Sequence, residues 1–234
     1  MLHLGNNNPK HEYSITVGDD VVKLAETKCE KDLGVHIDPN LDFRDHIHKT
    51  IKKARSVSGM IIRNISYCKT SIMCPLFKAL IRPILEYGNA VWSPFLKQDI
   101  DNIEKVQRHF TKRIDGLYNL SYHDRLRVLK LPSLEYRRMR GDLIETYKIV
   151  RGMYDVSTTN SLFHRETNTI TRSNMFKLTK DRVASKKYHW FFPNRVINMW
   201  NKLPNSIVSS DSLNNFKNGV DNHFRELMYS TRLN

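Results

Sequence analysis

The chain is poor in cysteine, glycine and proline: 3, 9 and 8 of 234 residues. Three cysteines (Cys29, Cys68 and Cys74) cannot build a disulfide framework, and an odd count fits a reducing compartment. So few glycines and prolines exclude a collagen-like or linker-dominated chain. No apolar run approaches the ~20 residues that a membrane-spanning helix needs. The opening Met1-Leu2-His3-Leu4-Gly5-Asn6 has no basic stretch leading into an apolar one, so no signal peptide is expected. No Gly-x-Ser-x-Gly elbow, Walker loop or Cys-x-x-Cys pair occurs. Hydrolase and ATPase readings therefore have no residues to stand on, and a structural metal is disfavoured.

What the chain has is positive charge and enough apolar content for a core. Hydrophobic residues make up 40%, and 38 Lys and Arg against 24 Asp and Glu give a net charge of +14. The surplus is uneven. Residues 1–38 carry four basic and seven acidic residues, so everything after them is more cationic still. A polyanion is the natural partner, and nucleic acid is the commonest one. An anionic membrane would call for one concentrated basic cluster, whereas here the surplus is spread over several segments.

The periodicity predicts an α+β, mainly α-helical fold: a small N-terminal β piece followed by a helical bundle. His11–Val17 and Val21–Leu24 alternate around the Gly18-Asp19-Asp20 turn, as a β-hairpin does, and Leu33–Ile37 reads as a further strand. From Asp42 the period becomes helical, with Asp42 and Asp45 placed as a capping box. Ile47, Ile51, Ala54, Val57 and Ile61 form a stripe, and Lys49, Lys52, Lys53 and Arg55 fall mostly off it. A second helix from Thr70 is apolar on most sides and is expected to be buried, with Pro83 kinking or ending it. Tyr87–Pro94 reads as a loop. Asp99–Leu117 is amphipathic, with Lys105, Arg108, Lys112 and Arg113 on its polar face. Tyr122–Leu129 reads as a short helix. Pro132-Ser133 opens a long helix whose start is crowded by Arg137, Arg138 and Arg140. Residues 156–171 are rich in Ser, Thr and Asn and read as a linker. Residues 172–202 mix eight basic residues with aromatics, and Ser212–Met228 reads as a last amphipathic helix. The expected divisions are thus 1–40, 41–155, a linker over 156–171, and 172–234.

Gly18-Asp19-Asp20 tempts a polymerase reading, because polymerases hold two metal ions with carboxylates at a hairpin turn. The third carboxylate is lacking: only Glu12 precedes the turn. Ordinary turn chemistry explains the triplet better. His46 and His48 stand two apart and point to different faces of a helix, so they do not grip zinc. The basic helix faces remain. Each alone is explained by solvation. Three basic segments in one chain, the last with aromatics interleaved, favour nucleic-acid binding, although the aromatics over 188–200 are better read as a small core.

Several stretches resemble one family. Lys31-Asp32-Leu33-Gly34-Val35, Phe77–Pro83, Leu85-Glu86-Tyr87-Gly88 with Trp92-Ser93-Pro94, Ile103–Arg108, Arg125-Leu126, Leu134–Tyr147 and Trp200-Asn201-Lys202-Leu203-Pro204 are similar, in order, to the C-terminal part of LINE-type (non-LTR) retrotransposon reverse transcriptases of the Jockey and chicken-repeat clades. The resemblance implies that Leu33-Gly34 is a primer-grip turn and that the helices from Asp42 onward are the thumb and the region after it. It implies that the fingers, the palm with its catalytic aspartates, and an endonuclease domain lie upstream, with Met1 internal to a longer reading frame. This chain alone is then not expected to be an enzyme, or to hold a metal or cofactor. Mg²⁺ is expected only in the full-length polymerase. The nucleic-acid-binding residues it points to are Leu33, Gly34, Lys49, Lys52, Lys53, Arg55, Lys105, Arg108, Lys112, Arg113, Arg137 and Arg138. The expected partners are RNA, DNA or their hybrid and the missing fingers and palm, with no membrane. The expected location is intracellular, nucleus or cytoplasm being left open. A transposon-derived partner-binding module and a fragment without function are the alternatives.

Overall fold

The computed structural model describes residues 1–5, 7–155, 162–165, 176–180, 182, 188 and 190–231. The fold is α+β and mainly helical, with small antiparallel hairpins first. β1 (Ser14–Val17) pairs with β2 (Asp20–Lys23), and Gly18-Asp19 makes the turn between them. β3 (Glu30–Asp32) pairs with β4 (Val35–Ile37). Leu33 and Gly34, read above as the start of a strand, are instead the two-residue turn of this second hairpin. Their φ angles of 43° and 88° are the left-handed pair that a tight hairpin demands, and they leave Leu33 85% exposed at the tip.

Helix α1 (Arg44–Asn64) follows. Its stripe is as the spacing predicts: Ile47, Ile51, Ala54 and Ile61 are buried, and Val57 packs beside them. Its start is not. Phe43, with φ 54°, precedes the helix and no side chain caps it. The Asp42–Asp45 capping box does not form. Asp38 takes its place, its carboxylate accepting from the N–H groups of Asn40, Asp42 and Phe43 at 2.9, 3.2 and 2.7 Å. A carboxylate that gathers three orphan donors holds the reversed backbone that the entry into α1 requires.

The next helical stretch is built in three pieces. α2 (Thr70–Leu76) passes through a π-helical turn (Phe77–Ile81) into α3 (Arg82–Glu86). Pro83 does disturb the helix, but the chain continues. The N–H of Arg82 bonds back five residues to the carbonyl of Phe77, which places Pro83 in the first turn of a fresh helix, where a missing donor costs little. The stretch is one-sided rather than buried all round: Met73, Phe77, Ile81 and Leu85 point inward, while Ile72 and Leu80 are exposed. The expected loop at Tyr87–Pro94 contains a short helix, α4 (Asn89–Trp92), and the buried Trp92 indole donates to the carbonyl of Tyr87 at 2.6 Å.

α5 (Lys97–Thr111) is shorter than its pattern, with Ile114 and Leu117 buried in the turns after it. α6 (Tyr122–Leu129) and α7 (Leu134–Val150) are each capped by a serine, Ser121 and Ser133, whose Oγ accepts a backbone N–H of the first turn. α7 receives a second cap from a distance. The buried Glu104 of α5 accepts from the N–H groups of Leu134 and Glu135 at 3.3 Å each, so a carboxyl group from another helix satisfies two first-turn amides. α8 (Phe192–Asn201), α9 (Asn205–Val208) and α10 (Leu213–His223) follow among the described residues, with a small β5 (His164–Arg165) and β6 (Leu178–Thr179) pair before them.

Among the described residues, two apolar cores result. The first joins α1, the α2–α3 stretch, α5 and α6 through Ile47, Phe77, Ile103, Phe110 and Leu126. The second packs Tyr136, Leu143 and Tyr147 of α7 on Trp200 of α8 and Phe216 and Val220 of α10, with Tyr147 stacked on Phe216 at 4.3 Å. The long helix α7 therefore shares its core with residues beyond the expected 156–171 linker, most of which lies outside the described residues. Arg195 of α8 fastens this junction. It forms an ion pair with Asp142 at 2.8 Å and donates to the carbonyl of Ala90 at 2.9 Å. The C-terminal aromatics divide. Phe192 and Trp200 are buried, while Tyr188, Trp190 and Phe191 are exposed. Among the described residues, no helix is long and apolar enough to cross a membrane.

Candidate nucleic-acid interface

The turn that carries Leu33 and Gly34 is held against α3. Tyr87 donates its phenolic hydrogen to the carbonyl of Leu33 at 2.8 Å, and its ring lies 3.1 Å from where a Cβ on Gly34 would sit. Beneath this turn, α1 and the α3 segment enclose a recess of about 440 Å³. Lys31 enters from β3, Lys49 and Lys53 from α1, and Tyr87 and Pro83 form the opposite wall. The spacing of four brings Lys49 and Lys53 to one side of α1. No carboxylate lines the recess.

Two histidines sit in it. The backbone N–H of His36 donates to His46 Nδ1 at 3.2 Å, and Lys49 Nζ donates to His36 Nδ1 at 3.3 Å. Both rings are biased toward the neutral form. Burial first, then His36 and Lys49, depress the His46 pKa to about 4. His36 is lowered in the same direction by burial, Lys49 and Lys31, against a smaller pull from Asp45. The positive charge of the recess therefore rests on its lysines.

The other predicted residues are spread more widely. Lys52 and Arg55 are exposed on α1 but line no part of the recess. On α5, Lys105 is exposed and donates to Asn102, and the half-buried Arg108 lies over the Tyr122 ring at 4.8 Å. Lys112 and Arg113 lie past the end of α5, with the Lys112 ammonium 4.6 Å from the Tyr118 ring. Arg138 belongs to the interior, Arg137 is half-buried in an ion pair, and neither lines the recess. Arg137 forms a two-point ion pair with Glu86, its Nη2 donating at 2.8 Å. Arg138 is 4% exposed, among Glu104, Glu135 and Asp142. Lys31, His36, Thr50 and Tyr87 line the recess and were not singled out as binding residues from sequence. The Lys31–Val35 motif and the Leu-Glu-Tyr-Gly run are the signals that mark two of them.

Gly18-Asp19-Asp20 forms the exposed tip of the first hairpin. Among the described residues, no group of three His, Cys, Asp or Glu side chains is placed to hold a metal ion. A second concavity, of about 630 Å³, is largely apolar and is lined by Ile37, Leu41, Phe43, Val91, Phe95 and Trp190 among others. Phe95 stacks on Trp190 at 6.0 Å beside it.

The chain is similar to Uncharacterized protein B0403.1 of Caenorhabditis elegans, 25% identical over 134 residues, which cover 56% of this chain and 68% of that protein. No family profile matches the chain. No solved structure matches it.

Proposed function

We propose that this chain is the primer-grip and thumb portion of a LINE-type reverse-transcriptase polypeptide and that it holds nucleic acid by the phosphate backbone. One observation carries the reading. The Leu33-Gly34 turn, on which the resemblance places the primer grip, roofs a recess lined by three lysines and no acid. Backbone contacts of this kind position a duplex without reading its sequence. On this reading the chain alone adds no nucleotides, and Mg²⁺ belongs to a palm outside it.

The test is the affinity for an RNA–DNA hybrid as salt is raised. A protein making roughly 6–10 phosphate contacts loses about 10³–10⁵ in affinity between ~50 and ~200 mM salt. The triple change Lys105→Glu, Arg108→Glu and Lys112→Glu should weaken binding to every duplex alike and flatten the slope. An unchanged slope would show α5 to be merely solvated. Absence of hybrid binding by the unmodified chain would overturn the reading. A partner-binding module would then lead, favoured by the apolar concavity between the start of α1 and the Phe95–Trp190 stack.

A further inference from the structure

The recess under the Leu33–Gly34 turn has more order than a patch of solvated lysines. Lys31, Lys49 and Lys53 surround one space, and among the described residues no carboxylate forms an ion pair with any of them. Like charges gathered round one recess repel each other, and an anion between them relieves the repulsion.

The floor of the recess supplies neutral donors through a chain of hydrogen bonds. His46 Nδ1 accepts the N–H of His36, so it carries no hydrogen. The neutral ring must then carry its hydrogen on Nε2, which stands 3.4 Å from Thr50 Oγ1. Thr50 is the acceptor in that contact, and its own hydroxyl hydrogen is left over. His46 and Thr50 are 5% and 8% exposed, so this donor is buried, and both residues line the recess. His36 repeats the arrangement. Its Nδ1 accepts from Lys49, which leaves Nε2 to carry the hydrogen of the neutral ring. The recess is thus lined by three lysines, a threonine with a spare hydroxyl hydrogen and two neutral-leaning histidines.

A small tetrahedral oxyanion, rich in acceptors and carrying no donors of its own when ionised, matches this set. We propose that the recess is a binding site for a single phosphate group, held by Lys31, Lys49 and Lys53 and seated on the Thr50 hydroxyl. The phosphate chemistry follows from the donors alone. That the phosphate belongs to a nucleic-acid strand rests on the function proposed above, and a free phosphate or mononucleotide is the other source.

The experiment titrates the full chain with inorganic phosphate by calorimetry, then with an RNA–DNA hybrid in the presence and absence of phosphate. The unmodified protein should bind phosphate at one site. Thr50→Val, which keeps the shape and removes the hydroxyl, should weaken that binding about 10-fold, as a lost bond to a charged group does. Thr50→Ser, which keeps the hydroxyl, should restore it. Lys31→Ala with Lys53→Ala, both exposed and away from the apolar stripe, should abolish it. If phosphate competes with the hybrid and Thr50→Val weakens both, a strand is the source. If phosphate binds but leaves hybrid affinity unchanged, the site serves free phosphate. No one-site phosphate binding by the unmodified chain, or equal binding by Thr50→Val, Thr50→Ser and the double-lysine variant, overturns the proposal. Phosphate binding is measured without nucleic acid, so it can succeed where hybrid binding fails, and the two proposals fall separately.

Discussion

Lowering the pH from about 7.5 to about 5 should cost the native state about 2 kcal/mol through His46 alone. The ring is buried against Trp92, edge-on at 4.9 Å, and its Nδ1 already accepts the N–H of His36. Protonation puts a hydrogen where a donor already points. It also creates a buried cation beside Lys49. These effects, burial foremost, bring the pKa from 6.5 to about 4. Because the native value is the lower one, the unfolded chain takes up the proton first. The stability that neutral His46 contributes is whole above about pH 6.5 and drains away as pH falls towards about 4, a total of about 3 kcal/mol. For a domain stable by roughly 5–15 kcal/mol this is a large share. Urea unfolding followed by tryptophan fluorescence at a series of pH values measures it. Carboxylates titrate in part of the same range, so the readout is the difference between the unmodified protein and His46→Gln, which cannot titrate and retains an oxygen for the His36 N–H. The two stability curves should converge as pH falls from about 6.5 to about 5. Parallel curves over that interval would refute the reasoning, because they would mean that His46 is charged as easily in the fold as out of it.

Asp142→Ala should destabilise the protein by about 3–5 kcal/mol, since it leaves the Arg195 guanidinium buried without its carboxylate. A loss under about 1 kcal/mol in urea unfolding would show that the Ala90 carbonyl alone suffices for it. The β1–β2 ribbon should exchange its amide hydrogens far faster than α1 or α5, because every residue of both strands is exposed and isolated two-stranded ribbons are marginal in water. Protection at Ile15 equal to that at Ile51 would contradict this.

Much of the helical architecture is legible in the sequence, and the reason is one of symmetry. A helix with water on one side and core on the other must repeat its apolar residues every three to four positions, so α1, α6, α7 and α10 declare themselves. Ser133 and Ser212 mark helix starts for an equally local reason, since a hydroxyl at that position reaches the first-turn amides of its own segment. Other features have no local sign. The role of Asp38 is not legible locally, because its three amide partners depend on two left-handed residues, Leu41 and Phe43, that no propensity favours. The π-helical turn before Pro83 is a register change that leaves the hydrophobic pattern almost unaltered.

The same division separates the charges. The amino-acid sequence by itself determined the cationic surplus and the apolar stripes. It could not distinguish a cation facing water from one committed to the interior, because Lys and Arg off the apolar stripe look alike whatever lies opposite them. Arg137 meets Glu86 across 51 positions of chain and Arg195 meets Asp142 across 53, so only the packing of α3 and α8 on α7 paired these arginines with carboxylates of the protein. The gathering of Lys31, Lys49, Lys53 and Tyr87 round one recess was likewise decided in three dimensions. Each comes from a different turn or element, and the Tyr87 bond to the Leu33 carbonyl, spanning 54 residues, closes the space between them.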